Sequence, residues 1–215
     1  SAVWPPFLRE SATTMIAHYV GRAVAIPGDA ELTSVGDLFL RVRALALLDL
    51  APLAHLTYIG DSFLRGSCVT ALDLAPLSRL TGIGNSFLWE CRELTALDLD
   101  PLSQLTSIGD AFLFGCTGLK AVDLTSLAHV TNIGHWLLAS CRGLTAVDLA
   151  PLARRTGTGD RFLYRCVGLT ALDLSPLAHF VSVGNCFLCD CVGLKALDLT
   201  PLAHVTSVGD FFLSG

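Results

Sequence analysis

Seven aspartates, Asp49, Asp73, Asp98, Asp123, Asp148, Asp173 and Asp198, recur every 24 or 25 residues, and each precedes a glycine by 11 positions. If the segments that carry them stack as parallel strands, adjacent copies lie about 4.8 Å apart and the carboxylates form a row, which Asp100 deepens. At that spacing two unit charges repel by about 1 kcal/mol in bulk water and several times more in a less polar surface environment. Three outcomes are open for such a row. It can be compensated by Lys and Arg side chains of a protein partner, it can hold cations, or its carboxylates can accept local hydrogen bonds and stay solvated.

Other reactive side chains recur with the same period. Two and five residues after the repeated glycine stand Trp89, Phe114, Trp136, Tyr164 and Phe211. Aromatics shared by one outward face form a patch of the kind that marks an interface, with packing inside the outer layer as the alternative. Cys68, Cys91, Cys116, Cys141, Cys166 and Cys191 read as one column, where a small apolar side chain is buried. Cys186 and Cys189 stand outside that column with Cys-x-x-Cys spacing, which permits redox chemistry. They lack the second pair or nearby histidine that a four-ligand metal site needs. His55, His129, His179 and His204 share a position held by Arg79, Gln104 and Arg154 in other copies, an interchange that signals solvent. The sequence has no phosphate-cradling glycine loop and no nucleophile with an attendant base, so no catalytic residue, metal ligand or cofactor is assigned.

What must position these columns is a repeat. Gly36, Gly60, Gly84, Gly109, Gly134, Gly159, Gly184 and Gly209 mark about eight copies. Self-similarity at that period means a solenoid, whose units bury their core only against one another. Ala-Leu-Asp-Leu alternates apolar and polar residues, as a strand does, and Gly-Asp-x-Phe-Leu-x-x-Cys has the apolar spacing of a short helix. Asp or Asn after the glycine is placed to cap that helix, His135 being the exception, and Gly118, Gly143, Gly168 and Gly193 are placed to end it. Pro52, Pro76, Pro101, Pro151, Pro176 and Pro201 stop the strand, because proline cannot donate to a ladder. The expected class is therefore α/β, a solenoid with a curved parallel sheet on its concave face and short helices on its convex face. One copy is damaged: Arg155 stands where others have Leu105 or Val130, and Thr158 where others have Ile108 or Ile133. Local loosening or a bend is expected there.

The order Leu-x-x-Leu-x-Leu-x-Pro-Leu-x-x-Leu-Thr-x-Ile-Gly-x-x-Phe-Leu-x-x-Cys, as it runs from Leu94 to Cys116, resembles the leucine-rich repeats of the BspA-like, or Treponema pallidum, type. The resemblance covers roughly residues 22 to 215. The aspartate between the strand leucines and the residues added around the proline depart from the family's commoner wording. It implies a curved binding scaffold, found on bacterial and protist cell surfaces and also in intracellular proteins, with no catalytic residues to carry over.

Residues 1–22 have no repeat character and are expected to form a helical cap, with the array over 23–215. The array is expected to be cut short at Ser214-Gly215, leaving an uncovered last repeat open to end-to-end contact. A net charge of −5 argues against a nucleic-acid partner, since phosphate binding needs a basic face. A mean hydropathy of +0.59 is high, yet Asp, Gly or Pro interrupts every apolar run before it reaches membrane-span length. Regularly placed thiols favour reduced cysteines and an intracellular setting, with the cell surface left open. The expected function is a non-enzymatic protein-binding scaffold that uses the acidic strip and secondarily the aromatics. The alternatives are a surface adhesin or structural array, and a substrate-recruiting subunit of an enzyme complex.

Overall fold

The computed structural model describes residues 34–35 and 48–215. The expected cap over 1–22 and the first degenerate copy lie outside the described residues, apart from one short strand.

Each described copy runs through the same three segments. First comes Ala-Leu-Asp-Leu, in which the leucines point inward: Leu97 and Leu99 are buried while Asp98 is exposed. Next is a short 3₁₀ turn, at Ala51–Leu53, Ala75–Leu77, Asp100–Leu102, Thr125–His129, Ala150–Leu152, Ser175–Leu177 and Thr200–His204. Six of these seven carry proline in their first positions, where a missing amide costs nothing and the fixed φ suits the turn. The third segment contains the strands, β1 (Ser34–Val35), β2 (Tyr58–Ile59), β3 (Gly82–Ile83), β4 (Ser107–Ile108), β5 (Ser182–Val183) and β6 (Ser207–Val208). All pair in parallel, each with the equivalent residues of the next copy, as in Ile59 with Ile83 and Ile83 with Ile108.

The pairing therefore lies just before the glycine and not in Ala-Leu-Asp-Leu. The expected alternation gives the burial of that stretch correctly. However, the chain turns at the second leucine, where Leu99 has φ −97 and ψ −4, so too few extended residues remain to build a ladder. Copies are still tied at its entrance, where the amide of Thr95 donates to the carbonyl of Thr70 at 3.3 Å and that of Thr145 to Lys120 at 3.0 Å.

A second correction concerns the segment after the glycine. No α-helix forms there among the described residues. Ser86, Leu88 and Glu90 have φ of 60°, 55° and 55°, and the equivalent residues of other copies behave alike, so left-handed residues alternate with others and no helical run can develop. The amides turn sideways. Ser86 N–H donates to Asp110 O at 2.7 Å, Glu90 N–H to Phe114 O at 2.6 Å, and Leu88 N–H back to Phe63 O at 3.0 Å. Bonding between copies thus replaces the bonds a helix would make within itself. Gly118, Gly143, Gly168 and Gly193 consequently cap no helix. Their role is close approach: a Cβ on Gly118 would sit 2.5 Å from Leu94 O and 2.7 Å from Arg92 O.

The core is a set of columns. Phe63, Phe87 and Phe112 stack at 5.5 and 5.4 Å, and Phe162, Phe187 and Phe212 at 5.7 and 5.6 Å, with Leu137 filling the position between the two stacks. The repeated glycines stack as well. A Cβ on Gly134 would meet Gly109 O at 2.6 Å, and one on Gly159 would meet Gly134 O at 2.7 Å, so no side chain fits. Cys91, Cys116, Cys141, Cys166 and Cys191 form the buried thiol column, each Sγ donating to a leucine carbonyl at 3.1 or 3.2 Å. Cys68 does not join it. In that copy the residue seven after the glycine is Ser67, which is buried with its Oγ 3.3 Å from Cys91 Sγ, while Cys68 one position later is exposed.

Arg155 marks a break. Parallel strands β1–β4 form one sheet and β5–β6 another. Bridges continue from Ser107 to Asn132 and from Gly157 to Ser182, but none joins Asn132 to Gly157. Arg155 itself is buried, its guanidinium donating to Leu127 O and Pro151 O at 2.6 Å each and to Val130 O. On the other side of the core the stacking continues unbroken, with Leu138 N–H to Phe112 O and Leu163 N–H to Leu137 O, both 3.1 Å. The loosening is confined to one edge.

Candidate functional site

The aspartate column is held by a repeated local device. One carboxylate oxygen of Asp49, Asp73, Asp98, Asp123, Asp148, Asp173 and Asp198 accepts the backbone amide two residues on, at 2.8 or 2.9 Å. This turn starts each 3₁₀ segment, supplying an acceptor that the leucine between cannot. All seven side chains are exposed, as is Asp100, whose own amide is the donor to Asp98. The hydrogen bonds from Thr125, Ser175 and Thr200 hold Asp123, Asp173 and Asp198 below the usual carboxylate range. For Asp173 the charge of Asp198 acts in the opposite direction, which places neighbouring carboxylates within mutual influence.

Among the described residues the ion pairs are Arg92–Glu90 and Arg165–Asp190, and the His135 ring lies 3.5 Å from Asp160 Oδ2. None uses the strip. Its charge is unmatched by the described basic side chains, and each carboxylate is oriented by its own turn.

The aromatic positions also come together, although on turns and not on helices. Trp89 stacks on Phe114 at 4.2 Å, Phe114 meets Trp136 edge-on at 5.6 Å, and Trp136 meets Tyr164 edge-on at 6.1 Å. Trp136 reaches this row from two residues after its glycine because Ala139, at the position five after, leaves room. Arginines extend the row: Arg65 lies over Trp89 at 4.5 Å, Arg161 over Trp136 at 4.2 Å and Arg165 over Tyr164 at 5.2 Å. The four rings are half-buried against one another, whereas Phe211 is 68% exposed.

A third column was not expected. The residue after each glycine caps no helix and instead accepts an amide from the next copy. Asp61 takes Asn85 N–H at 2.6 Å, Asn85 takes Asp110 N–H at 2.7 Å, Asp110 takes His135 N–H at 2.8 Å, and His135 Nδ1 takes Asp160 N–H at 2.9 Å. Asp160 and Asn185 continue the row to Asn185 and Asp210, both at 2.8 Å. His135 is thus a member of the ladder, and its role as acceptor assigns the neutral ring with the proton on Nε2. The signal was present in the sequence as Asp, Asn and His sharing one position.

Burial keeps the column thiols inert. It pushes Cys141 up to about 12 and Cys191 up to about 11, and raises Cys116 and Cys166 well above the usual thiol range. His129, His179 and His204 are exposed and His55 is half-buried, and no group of three or more metal-ligating side chains forms among the described residues.

Residues 47–170 match the model of the BspA type leucine rich repeat region as six copies, more than half of the chain. The chain belongs to that family. Among solved structures it is similar to the functional domain of InlJ from Listeria monocytogenes, described as including a cysteine ladder, at 18% identity and a TM-score of 0.39. The alignment covers 90% of this chain and 52% of that one, so the BspA-type chain spans about half the length of the InlJ domain. It is also similar to the leucine-rich repeat domain of the type III effector XopL, at 18% identity and a TM-score of 0.49, covering 83% of this chain and 69% of that one. A leucine-rich repeat protein from Bacteroides ovatus matches at 14% identity and a TM-score of 0.35, covering 87% and 74%. No curated protein matches the sequence. No helix among the described residues is long and apolar enough to cross a membrane.

Proposed function

We propose that this BspA-type chain is a non-enzymatic protein-binding scaffold whose acidic strip, from Asp49 to Asp198, takes a basic segment of a partner protein. One observation carries the reading: seven exposed carboxylates stand at equivalent turns with no ion pair to any described cation. Such a strip attracts Lys and Arg side chains spaced along a partner, raising the encounter rate and fixing register more than it adds affinity. The aromatic row from Trp89 to Tyr164 is the secondary surface. In this reading the array spans 23–215 behind a helical cap over 1–22, the strip lines the concave face of a curved body, and the last repeat makes end-to-end contact.

The test is titration of a Lys/Arg-rich peptide into the full chain and into the Asp98→Asn, Asp123→Asn, Asp148→Asn triple variant. Asparagine keeps the oxygen that each turn uses, so the fold is preserved while three charges are lost. Exposed charge pairs contribute about 0.2–1 kcal/mol each, so binding is expected to weaken roughly 3- to 100-fold and its salt dependence to become shallower, with five carboxylates of the strip still charged. Unchanged affinity in the triple variant removes the strip as the binding surface.

A further inference from the structure

Cys186 and Cys189 take the positions two and five after Gly184, the same positions that hold Arg161 and Tyr164 in the preceding copy. All eight thiols are free in this structure. Six of them are accounted for: five make the buried column, and Cys68 is exposed outside it. Cys186 and Cys189 remain, and their thiols stand close enough to act on each other electrostatically.

The backbone fixes that contact. Cys189 N–H donates to Cys186 O at 3.2 Å, closing a turn, and such a turn brings the first and fourth Cα atoms within about 7 Å, inside the range that a disulfide spans. The turn is clamped from both sides. Cys186 N–H donates to Asp210 O at 2.7 Å in the following copy, and Arg165 N–H of the preceding copy donates to Cys189 O at 2.9 Å. Cys186 is half-exposed and Cys189 is 8% exposed, so one thiol is open to a reagent while the other waits behind it. The third thiol nearby, Cys191, faces the core with its Sγ on Leu163 O at 3.1 Å and does not compete.

We propose that Cys186 and Cys189 are a reversible dithiol–disulfide site, oxidised by low-molecular-weight disulfides of the glutathione class. The Cys186 thiolate attacks one sulfur of the glutathione disulfide, forms a mixed disulfide and releases one glutathione thiolate. Cys189 gives up its proton, and its sulfur attacks Cys186 Sγ, forming the Cys186–Cys189 bond and releasing the second glutathione. The two protons lost by the cysteines end on the two glutathione thiols. The protein pair is oxidised by two electrons and one small disulfide is reduced. Burial, and after it the neighbouring Asp190 carboxylate and Cys186 thiol, raises the Cys189 thiol above its usual range, and the Arg165 guanidinium opposes this, so closure speeds up as the pH is raised. The disulfide would lie on the face of the aromatic row, between Tyr164 and Phe211, without disturbing the core columns.

The experiment incubates the full chain with oxidised glutathione, quenches with acid, alkylates free thiols and maps each cysteine by fragment-ion mass spectrometry. The expected product has Cys186 and Cys189 joined, short of two hydrogens, with Cys166 and Cys191 still reduced. Cys68, an exposed thiol outside any Cys-x-x-Cys turn whose neighbouring thiol, Cys91, is buried, serves as the internal control and retains glutathione. In Cys189→Ser the mixed disulfide on Cys186 persists, with roughly tenfold more bound glutathione there than in the wild type, because the intramolecular step is lost. The wild-type map alone overturns the proposal if Cys186 holds glutathione as Cys68 does, if both thiols remain alkylatable, or if either is joined to Cys191.

Discussion

Arg155→Leu restores the residue type of the equivalent Leu105, and the structure predicts a more stable protein. The guanidinium is 7% exposed and has three carbonyl acceptors, Leu127, Pro151 and Val130, but no carboxylate, and its Nε has no partner. Burial alone lowers its affinity for the proton. Hydrogen bonds that involve a charge contribute about 1.5–3 kcal/mol each, against a desolvation cost of several kcal/mol for the ion and about 1–3 kcal/mol for the unmet Nε donor. Leucine at the same site has no such cost and gains about 1.5–3 kcal/mol from burial. The expected net gain is about 1–3 kcal/mol, read as a higher urea midpoint. Because a repeat array unfolds by sections, amide exchange is the sharper assay. Thr131 N–H donates to Thr106 O at 3.1 Å and Val181 N–H to Thr156 O at 2.6 Å, whereas no backbone bond joins Thr156 to Thr131. In Arg155→Leu the Thr156 amide is expected to gain protection as the two sheets connect. A lower midpoint, or unchanged exchange at Thr156, would mean that the arginine is a net support and not the cause of the break.

Three further outcomes follow from the columns. Gly134→Ala places a Cβ 2.6 Å from Gly109 O, between two stacked backbones that cannot yield, and a loss of about 1–3 kcal/mol is expected in urea unfolding. His135→Asn keeps the acceptor for Asp160 N–H and adds an amide donor, as Asn85 Nδ2 donates to Asp61 at 3.1 Å; a gain of about 0.5–1 kcal/mol is expected, and His135→Gln should give none. Asp123, Asp173 and Asp198 are held below the usual carboxylate range in the folded chain, so the stability they contribute is present above the unfolded value, about 3.9, and fades as the pH falls through the folded one. The Asn triple variant at these positions should show a shallower loss of thermal midpoint on acidification below pH of about 4, and an identical acid limb would count against the turn hydrogen bonds.

The period, the family and the inward residues were legible because stacking demands identical spacing and identical burial in every copy. Leu97, Leu99, Phe112 and Cys116 are buried as the pattern implies. What misled was the inference from spacing to secondary structure. Phe112, Leu113 and Cys116 have intervals that suit a helix, but an alternating left-handed backbone buries the same residues and is indistinguishable by periodicity alone. The strand was misplaced for a related reason. Alternation in Ala-Leu-Asp-Leu reports which side faces the core, and whether its amides pair with a neighbour depends on where the chain turns next. Cys68 shows the limit of reading columns by residue type: the copy is one residue longer between glycine and cysteine, and the fold buries Ser67 at the structural position instead. Of the candidate sites, the rows of carboxylates and of rings were visible as columns, but the Arg65, Arg161 and Arg165 contacts were not, since the arginines hold no one repeat position: Arg65 stands five after its glycine, Arg161 two and Arg165 six.

The residue after the glycine shows what the repeat selects. Asp61, Asn85, Asp110, His135, Asp160 and Asn185 differ in charge, size and aromaticity, yet each presents one acceptor to the next copy's amide at 2.6 to 2.9 Å. What they share is reach: Oδ1 of Asp and Asn and Nδ1 of His all lie three bonds from Cα. Such a column is expected to tolerate substitution in chemistry but not in length, so a histidine fits where a longer glutamine would overshoot. Protonation of His135 removes the lone pair that Asp160 N–H uses, while Asp160 Oδ2 at 3.5 Å stands ready to pair with the ring that results. The ladder therefore contains one rung whose bonding depends on charge, and the rungs on either side hold the backbone in register whichever state it takes.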